Sequence, residues 1–116
     1  MRRKRILAGW GVTLGEMGRY AEADLRHAKA IALTPDDAQL WRNRGIDELV
    51  WGRAEHRAGH ASEARQHWTK AQAHFAEAQR LNPHDERMTS FAAYSQALLS
   101  LDPTDPRLDQ LLAQLR

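Results

Sequence analysis

Residues 60–80 read as three consecutive heptads, HASEARQ, HWTKAQA and HFAEAQR. Seven residues make about two turns of an α-helix, so each repeated position falls on one helix face. Small residues recur at this period in both halves of the region: Gly45, Gly52 and Gly59, then Ala64, Ala71 and Ala78. Ala61, Trp68 and Phe75 precede those alanines by three positions. The pattern predicts two antiparallel helices, over residues 38–58 and 60–81, that meet at Gly59 and pack closely along their small residues.

The composition favours a single all-α domain. The chain has 116 residues, and helix formers such as Ala, Leu, Arg, Gln and Glu dominate it. Its four prolines, at positions 35, 83, 103 and 106, stand at the expected ends of helices. Cysteine is absent, which excludes disulfides, thiolate metal ligands and a cysteine nucleophile.

A longer repeat surrounds the heptads. Residues 18–35 read GRYAEADLRHAKAIALTP, and residues 76–85 read AEAQRLNPHD, so both stretches carry a leucine two positions before a proline. This resembles the tetratricopeptide repeat, a two-helix unit of about 34 residues. The first unit, residues 4–37, matches the family at Leu7, Gly11 and Leu14 in its first helix, at a turn formed by Gly18 and Tyr20, at Ala23 and Ala30 in its second helix, and at the closing Pro35. It departs from the family at Trp10, where Leu is usual, and at His27, where an aromatic residue is common.

The second and third units depart from the family length. The second unit spans residues 38–85, about 14 residues more than a standard unit, which indicates one added heptad in each helix. The added length predicts a hairpin that projects by roughly 10 Å at the Gly59 tip. The partial third unit, residues 86–116, holds a helix over 86–101 and a last helix capped by Asp105. The resemblance implies an all-α solenoid of about three units and six helices. The spacing of four leucines predicts an apolar stripe that caps the stack, with a docking face as the alternative: Leu108, Leu111, Leu112 and Leu115.

The resemblance also implies a binding surface, because first helices in this family line a concave groove that accepts a peptide or a partner helix. The corresponding positions are Arg5, Val12, Gln39, Arg42, Asn43, Ile46, Leu49, Arg87 and Tyr94. Arginines beside apolar side chains suit an acidic or amphipathic segment of another protein. A second candidate surface is the hairpin tip, with Arg53, His56, Arg57, His60 and Arg65. The expected function is a non-enzymatic protein-interaction module, with a homo-oligomer also open.

Two other functions compete with that expectation. The basic run Arg2–Arg5 and the tip arginines could bind nucleic acid or an anionic surface, although a formal net charge of +2 makes nucleic acid the weaker choice. His60, His67 and His74 raise the possibility of a metal or cofactor. Heptad spacing separates successive histidines by about 10 Å, so no two of them can share an ion, and we expect no metal, no cofactor and no catalysis. The acidic pair at 47–48 is expected on a solvent face.

The location of the protein is predicted from what the sequence lacks. No run approaches the roughly 20 apolar residues of a membrane span. The start MRRKRILAGWGVTLG has a short apolar run with three glycines, which is a poor secretion signal. We expect a cytoplasmic protein, and a periplasmic or complex-associated location stays open.

Overall fold

The structure is a computed structural model that describes residues 13–115, with side chains from residue 18 onward. This part of the chain is all-helical. Its five helices are α1 (Thr13–Leu33), α2 (Ala38–Arg57), α3 (Ala61–Leu81), α4 (Glu86–Ser100) and α5 (Pro106–Leu112). Helix α1 packs against α2, α2 against α3, and α3 against α4. The α2–α3 pair is the most extensive.

Aspartates begin three of the helices. Asp37, Asp85 and Asp105 have extended backbones, and each side chain accepts a hydrogen bond from the backbone N–H two residues later. This arrangement satisfies a donor that the first turn of a helix leaves free. Pro106 follows Asp105 at the first helical position, where its missing N–H costs nothing. The predicted cap at Asp105 is therefore confirmed.

The α2–α3 hairpin has the predicted dimensions, with helices of 20 and 21 residues. Gly59 joins them with a φ of +87°, a left-handed conformation that only glycine adopts without strain. The glycine face of α2 lies against the aromatic residues of α3. A Cβ on Gly45 would come within 2.6 Å of the Phe75 ring, and a Cβ on Gly52 would overlap the Trp68 indole. The glycines therefore make room for the two largest side chains of the hairpin.

The core extends from this seam to the C-terminal helices. Buried apolar side chains of α2, α3, α4 and α5 form one cluster: Leu49, Ala64, Trp68, Ala71, Phe75, Leu98, Leu108 and Leu112. The Phe75 and Phe91 rings stack with their centroids 5.0 Å apart. Leu111 and Leu115 pack against the same cluster, so the leucine stripe closes the core as the sequence predicts.

The first unit differs from the sequence-based expectation. The predicted turn at Gly18 and Tyr20 is wrong, since both residues lie inside α1, which runs without a break from Thr13 to Leu33. Gly18 has no positive φ, and the helix formers around it outweigh a single glycine. Five helices are described, whereas six were expected. Residues 4–12 of the expected first helix lie outside the described residues.

None of the five helices combines the length and the apolar character that crossing a membrane requires. This finding agrees with the sequence-based expectation for the described part of the chain.

Candidate functional site

A polar counterpart to the glycine seam runs along the other side of the α2–α3 interface. Glu48 and Glu55 are seven residues apart on α2, and they face the heptad histidines at the start of α3 and within it. We call this set the acid–imidazole ladder: Glu48, Glu55, His60, His67 and His74. Its geometry follows from the antiparallel register, because both helices repeat at seven residues.

Two rungs of the ladder are short hydrogen bonds. His67 Nδ1 lies 2.7 Å from Glu48 Oε1, and His60 Nδ1 lies 2.6 Å from Glu55 Oε1. Longer diagonal contacts connect the rungs, with 4.0 Å between His67 Nε2 and Glu55 Oε2 and 3.8 Å between His74 Nε2 and Glu48 Oε2. Carboxylates and imidazoles thus alternate along the interface from the hairpin tip to its middle.

Glu48 is the most deeply buried charged residue of the ladder, with 2% of its surface exposed. Burial alone raises the pKa of a carboxyl group, because it penalises the charged form. The hydrogen bond to His67 and the nearby imidazole of His74 outweigh that effect and lower the pKa of Glu48 to about 2. The side chain is therefore an ionised carboxylate in the interior at neutral pH, held there by its imidazole partners.

Aromatic rings enclose the ladder. The Trp51 ring stacks on His67 with centroids 3.9 Å apart, and Tyr20 of α1 stacks on the other side of Trp51 at 6.3 Å. Trp41 lies 5.8 Å from the ring of His74. These contacts fix the planes of both imidazoles and limit the access of water to Glu48.

Helix α1 adds a second layer of charges. Arg44 of α2 donates to both oxygens of Asp24, at 2.7 and 3.1 Å, and the bond raises the pKa of Arg44. His27 Nε2 lies 2.5 Å from Asp47 Oδ2. Acidic and basic side chains of α1, α2 and α3 therefore meet in one polar cluster beside the acid–imidazole ladder.

Sequence reasoning misplaced two members of this site. The sequence did not indicate a role for His67 in the interior, yet His67 is 8% exposed and hydrogen-bonded to a carboxylate. The expectation of a solvent-facing acid at position 48 is also wrong. Glu48 and Glu55 share the heptad period of His60 and His67, and this common spacing is the signal that would have paired them.

Three ligand-type side chains converge within the seam. One oxygen of Asp24, one oxygen of Glu48 and one ring nitrogen of His74 all lie within 4.8 Å of one another. Among the described residues this is where a metal ion could be held by groups from three separate helices.

The predicted groove is partly filled by the chain itself. Leu49 is fully buried in the core, and the hydroxyl of Tyr94 donates to the carbonyl of Leu111 in α5. Leu49 is therefore closed to a partner, and the Tyr94 hydroxyl is already occupied by its own chain. The leucine stripe causes the difference, because α5 buries it against α2 and α4.

Five further groove residues belong to the described part of the chain. Gln39 and Arg87 are exposed, and Arg42, Asn43 and Ile46 are half-buried. The Nε atom of Arg42 is buried and has no hydrogen-bond partner, and its charge helps to lower the pKa of Asp85 after the larger effect of Arg87. Arg42 therefore faces the first turn of α4. Arg5 and Val12, and the basic run Arg2–Arg5, lie outside the described residues.

The tip residues are mostly engaged with their own chain. Arg53 donates to the carbonyls of Leu112 and Leu115, and Arg65 donates to the carbonyl of Leu99. The Nε2 atom of His56, also a tip residue of α2, lies 3.2 Å from Asp109 Oδ1 of α5. Helix α5 therefore covers α2 from Arg53 to His56. The expected free projection is confined to the turn itself, where Arg57 and His60 are exposed.

Comparison of the sequence and the structure with protein-family models, curated proteins and solved structures finds no match.

Proposed function

We propose that this chain is a non-enzymatic protein-interaction module that binds a short amphipathic, acid-bearing segment of another protein between α2 and α4. The binding surface is the part of the groove that α5 leaves open. We call it the open groove and define it by Arg42, Asn43, Ile46, Ser90 and Phe91. The tetratricopeptide-like arrangement of the helices belongs to the same proposal.

The observation that carries this proposal is the way α5 docks on α2 and α4. Leu108 and Leu112 of α5 are buried in the common core, and Arg53 of α2 donates to two carbonyls at its C-terminal end. This face therefore already accepts a leucine-bearing helix through apolar contacts and an arginine. A partner helix in the open groove would meet the same combination of groups.

The open groove offers one apolar depression and one charged anchor. A cavity of about 220 Å³ lies beside the end of α5 and is lined by Ser90, Phe91, Tyr94, Gln114 and Leu115. Arg42 provides a guanidinium whose Nε atom lacks a partner in the described structure. A carboxylate on the partner would pair with the half-buried guanidinium group, and charge-assisted bonds of this kind are strong in partly dry sites. An apolar residue one turn away would enter the depression.

A display selection tests the proposal. A library of random 12-residue peptides is selected against the purified chain, and the affinities of enriched peptides are measured by isothermal titration calorimetry. We expect peptides with one acidic residue and apolar residues at helical spacing, whose affinity falls about tenfold or more on Arg42→Gln. Arg57→Gln is the matched control and should leave the affinity unchanged, because Arg57 is an exposed arginine at the opposite end of α2.

Two results would reject the proposal. One is a selection in which no peptide is enriched, and the other is binding that Arg42→Gln and Arg57→Gln affect equally. Peptide binding of the proposed kind should also survive moderate salt. A steep fall of affinity with salt for both peptides and oligonucleotides would indicate a binder of polyanions instead.

A further inference from the structure

We propose that Asp24, Glu48 and His74 bind one divalent transition-metal ion of the Zn²⁺ type, at the point where α1, α2 and α3 meet. Each side chain comes from a different helix, and one ligand atom from each lies within 4.8 Å of the other two. Ligand atoms of a bound zinc lie about 2 Å from the ion. The three atoms are therefore close to the separation that a common ion requires, and small side-chain rotations would complete it.

The state of His74 points to a ligand. Its Nε2 atom is buried and has no hydrogen-bond partner, although the ring is held beside Trp41. The nearest carboxylate oxygen, on Glu48, lies 3.8 Å away, which is too long for a hydrogen bond. A buried ring nitrogen without a partner is costly, and an ion between the imidazole and Glu48 would provide one.

The surroundings resemble the outer shell that metal sites need. His67 bonds Oε1 of Glu48, so Oε2 is the oxygen left to face His74. Arg44 holds Asp24 by both oxygens. A carboxylate has about four lone-pair positions, so Asp24 can accept both N–H bonds and still bind an ion. Such partners orient ligands and tune their affinity for the metal.

The charges are compatible with a divalent ion. Asp24 and Glu48 contribute two negative charges, and Arg44 contributes one positive charge beside them.

The ligand set selects the class of metal. One imidazole nitrogen with two carboxylate oxygens suits Zn²⁺ and similar borderline ions, whereas Mg²⁺ and Ca²⁺ prefer oxygen ligands throughout. The chain has no cysteine, so thiolate-selective metals have no ligand here. Three protein ligands also leave one position of a four-coordinate zinc for a further group.

Calorimetry of chelator-treated protein tests the site. The chain, free of any histidine tag, is titrated with ZnCl₂ and separately with MgCl₂. We expect saturable 1:1 binding of Zn²⁺, no comparable binding of Mg²⁺, and at least a tenfold loss of Zn²⁺ affinity in His74→Gln. His60→Gln is the matched control, because His60 also bonds a ladder glutamate but lies at the exposed tip. Loss of binding in the control alone, equal loss in both variants, or no saturable binding would overturn the proposal.

A measurement on the unaltered protein guards against a variant that does not fold. Long-range ¹H–¹⁵N spectra of the six histidines are recorded with and without Zn²⁺. We expect the Nε2 resonance of His74 to shift towards that of a metal-bound nitrogen, and the resonances of exposed His84 to stay unchanged. Shifts of equal size on the exposed histidines, or none on His74, would show surface binding and contradict the site.

Discussion

Glu48 and His67 are hydrogen-bonded across the interface of α2 and α3, with 2.7 Å between Oε1 and Nδ1, and both side chains are buried. The bond places an ionised group inside a small helical protein. Removing one partner of such a pair leaves an uncompensated buried charge, which is strongly destabilising. The heptad repeat therefore does more than shape an apolar seam, because it also aligns the groups that neutralise each other.

The first prediction concerns the pH dependence of stability. The pKa of Glu48 is about 2 in the folded protein, against 4.5 for an ordinary glutamate. A lowered folded-state pKa stabilises the protein fully above about pH 4.5, and this contribution is lost as the pH falls towards 2. We expect the difference in free energy of unfolding between wild type and Glu48→Gln to be constant near neutrality and to shrink between pH 4.5 and 2.

Urea denaturation at a series of pH values measures this difference. Glu22→Gln is the control, since Glu22 is exposed on α1 and pairs only loosely with Arg26. A difference for Glu48→Gln that is the same at pH 2.5 and pH 6 would show that the buried carboxylate does not govern acid stability.

The second prediction concerns the glycine seam. Gly52→Ala should destabilise the protein by about 1–3 kcal/mol, because the new methyl group overlaps the Trp68 ring in a packed core. Gly18→Ala is the matched control within a helix, where nothing lies within 4 Å of the added Cβ. It should be neutral or stabilise the protein by up to about 1 kcal/mol, as alanine favours helix. Thermal unfolding separates the two, and equal effects of both changes would argue against close packing at Gly52.

The third prediction concerns the leucine stripe of α5. Leu112→Ala removes a buried side chain and should cost about 2–5 kcal/mol of unfolding free energy. Leu33→Ala serves as control because Leu33 is 83% exposed, and its effect should stay within about 0.5 kcal/mol. If Leu112→Ala were as mild as Leu33→Ala, α5 would not be part of the core in solution.

The fourth prediction concerns how Arg53 anchors the C-terminal end. Arg53→Gln removes a charged donor from the carbonyls of Leu112 and Leu115. Hydrogen bonds to charged groups contribute about 1.5–3 kcal/mol, so local opening of α5 should become easier by that amount. Amide hydrogen exchange over residues 106–115 measures the opening. Arg57→Gln should leave exchange there unaltered, and faster exchange in both variants would point to a general loss of stability.

The sequence predicted the parts of the fold that depend on periodicity and on turn chemistry. The lengths of α2 and α3, the turn at Gly59 and the cap at Asp105 follow from heptads, glycine and an Asp-Pro pair, which act over a few residues. Gly18 was misread because a glycine can equally stand inside a helix, and only the neighbouring residues decide. The all-α class was predictable for the same local reasons.

The site was harder to predict because it depends on which faces meet. Glu48 and His67 belong to different helices, and their pairing follows only once the register of the hairpin is known. Asp24 reaches the same seam from a third helix. The leucine stripe of α5 also does not reveal which helices it packs against. Leu49 and Tyr94 were therefore expected to face the binding groove, whereas both contact α5.

The exact repetition of the α2–α3 hairpin makes its register degenerate. A slip of one heptad would bring Glu55 opposite His67 and Glu48 opposite His74, with Gly52 opposite Phe75, although His60 and Gly45 would lose their present partners. Such a slipped hairpin would need a loop seven residues longer and would lose the contacts of α5 with Arg53. The left-handed turn at Gly59 and the docking of α5 therefore select one register. Chains that pair in the slipped register must separate the two helices before they reach the native fold. We expect a slow refolding phase in tryptophan fluorescence, which becomes larger when Gly59 is replaced by alanine.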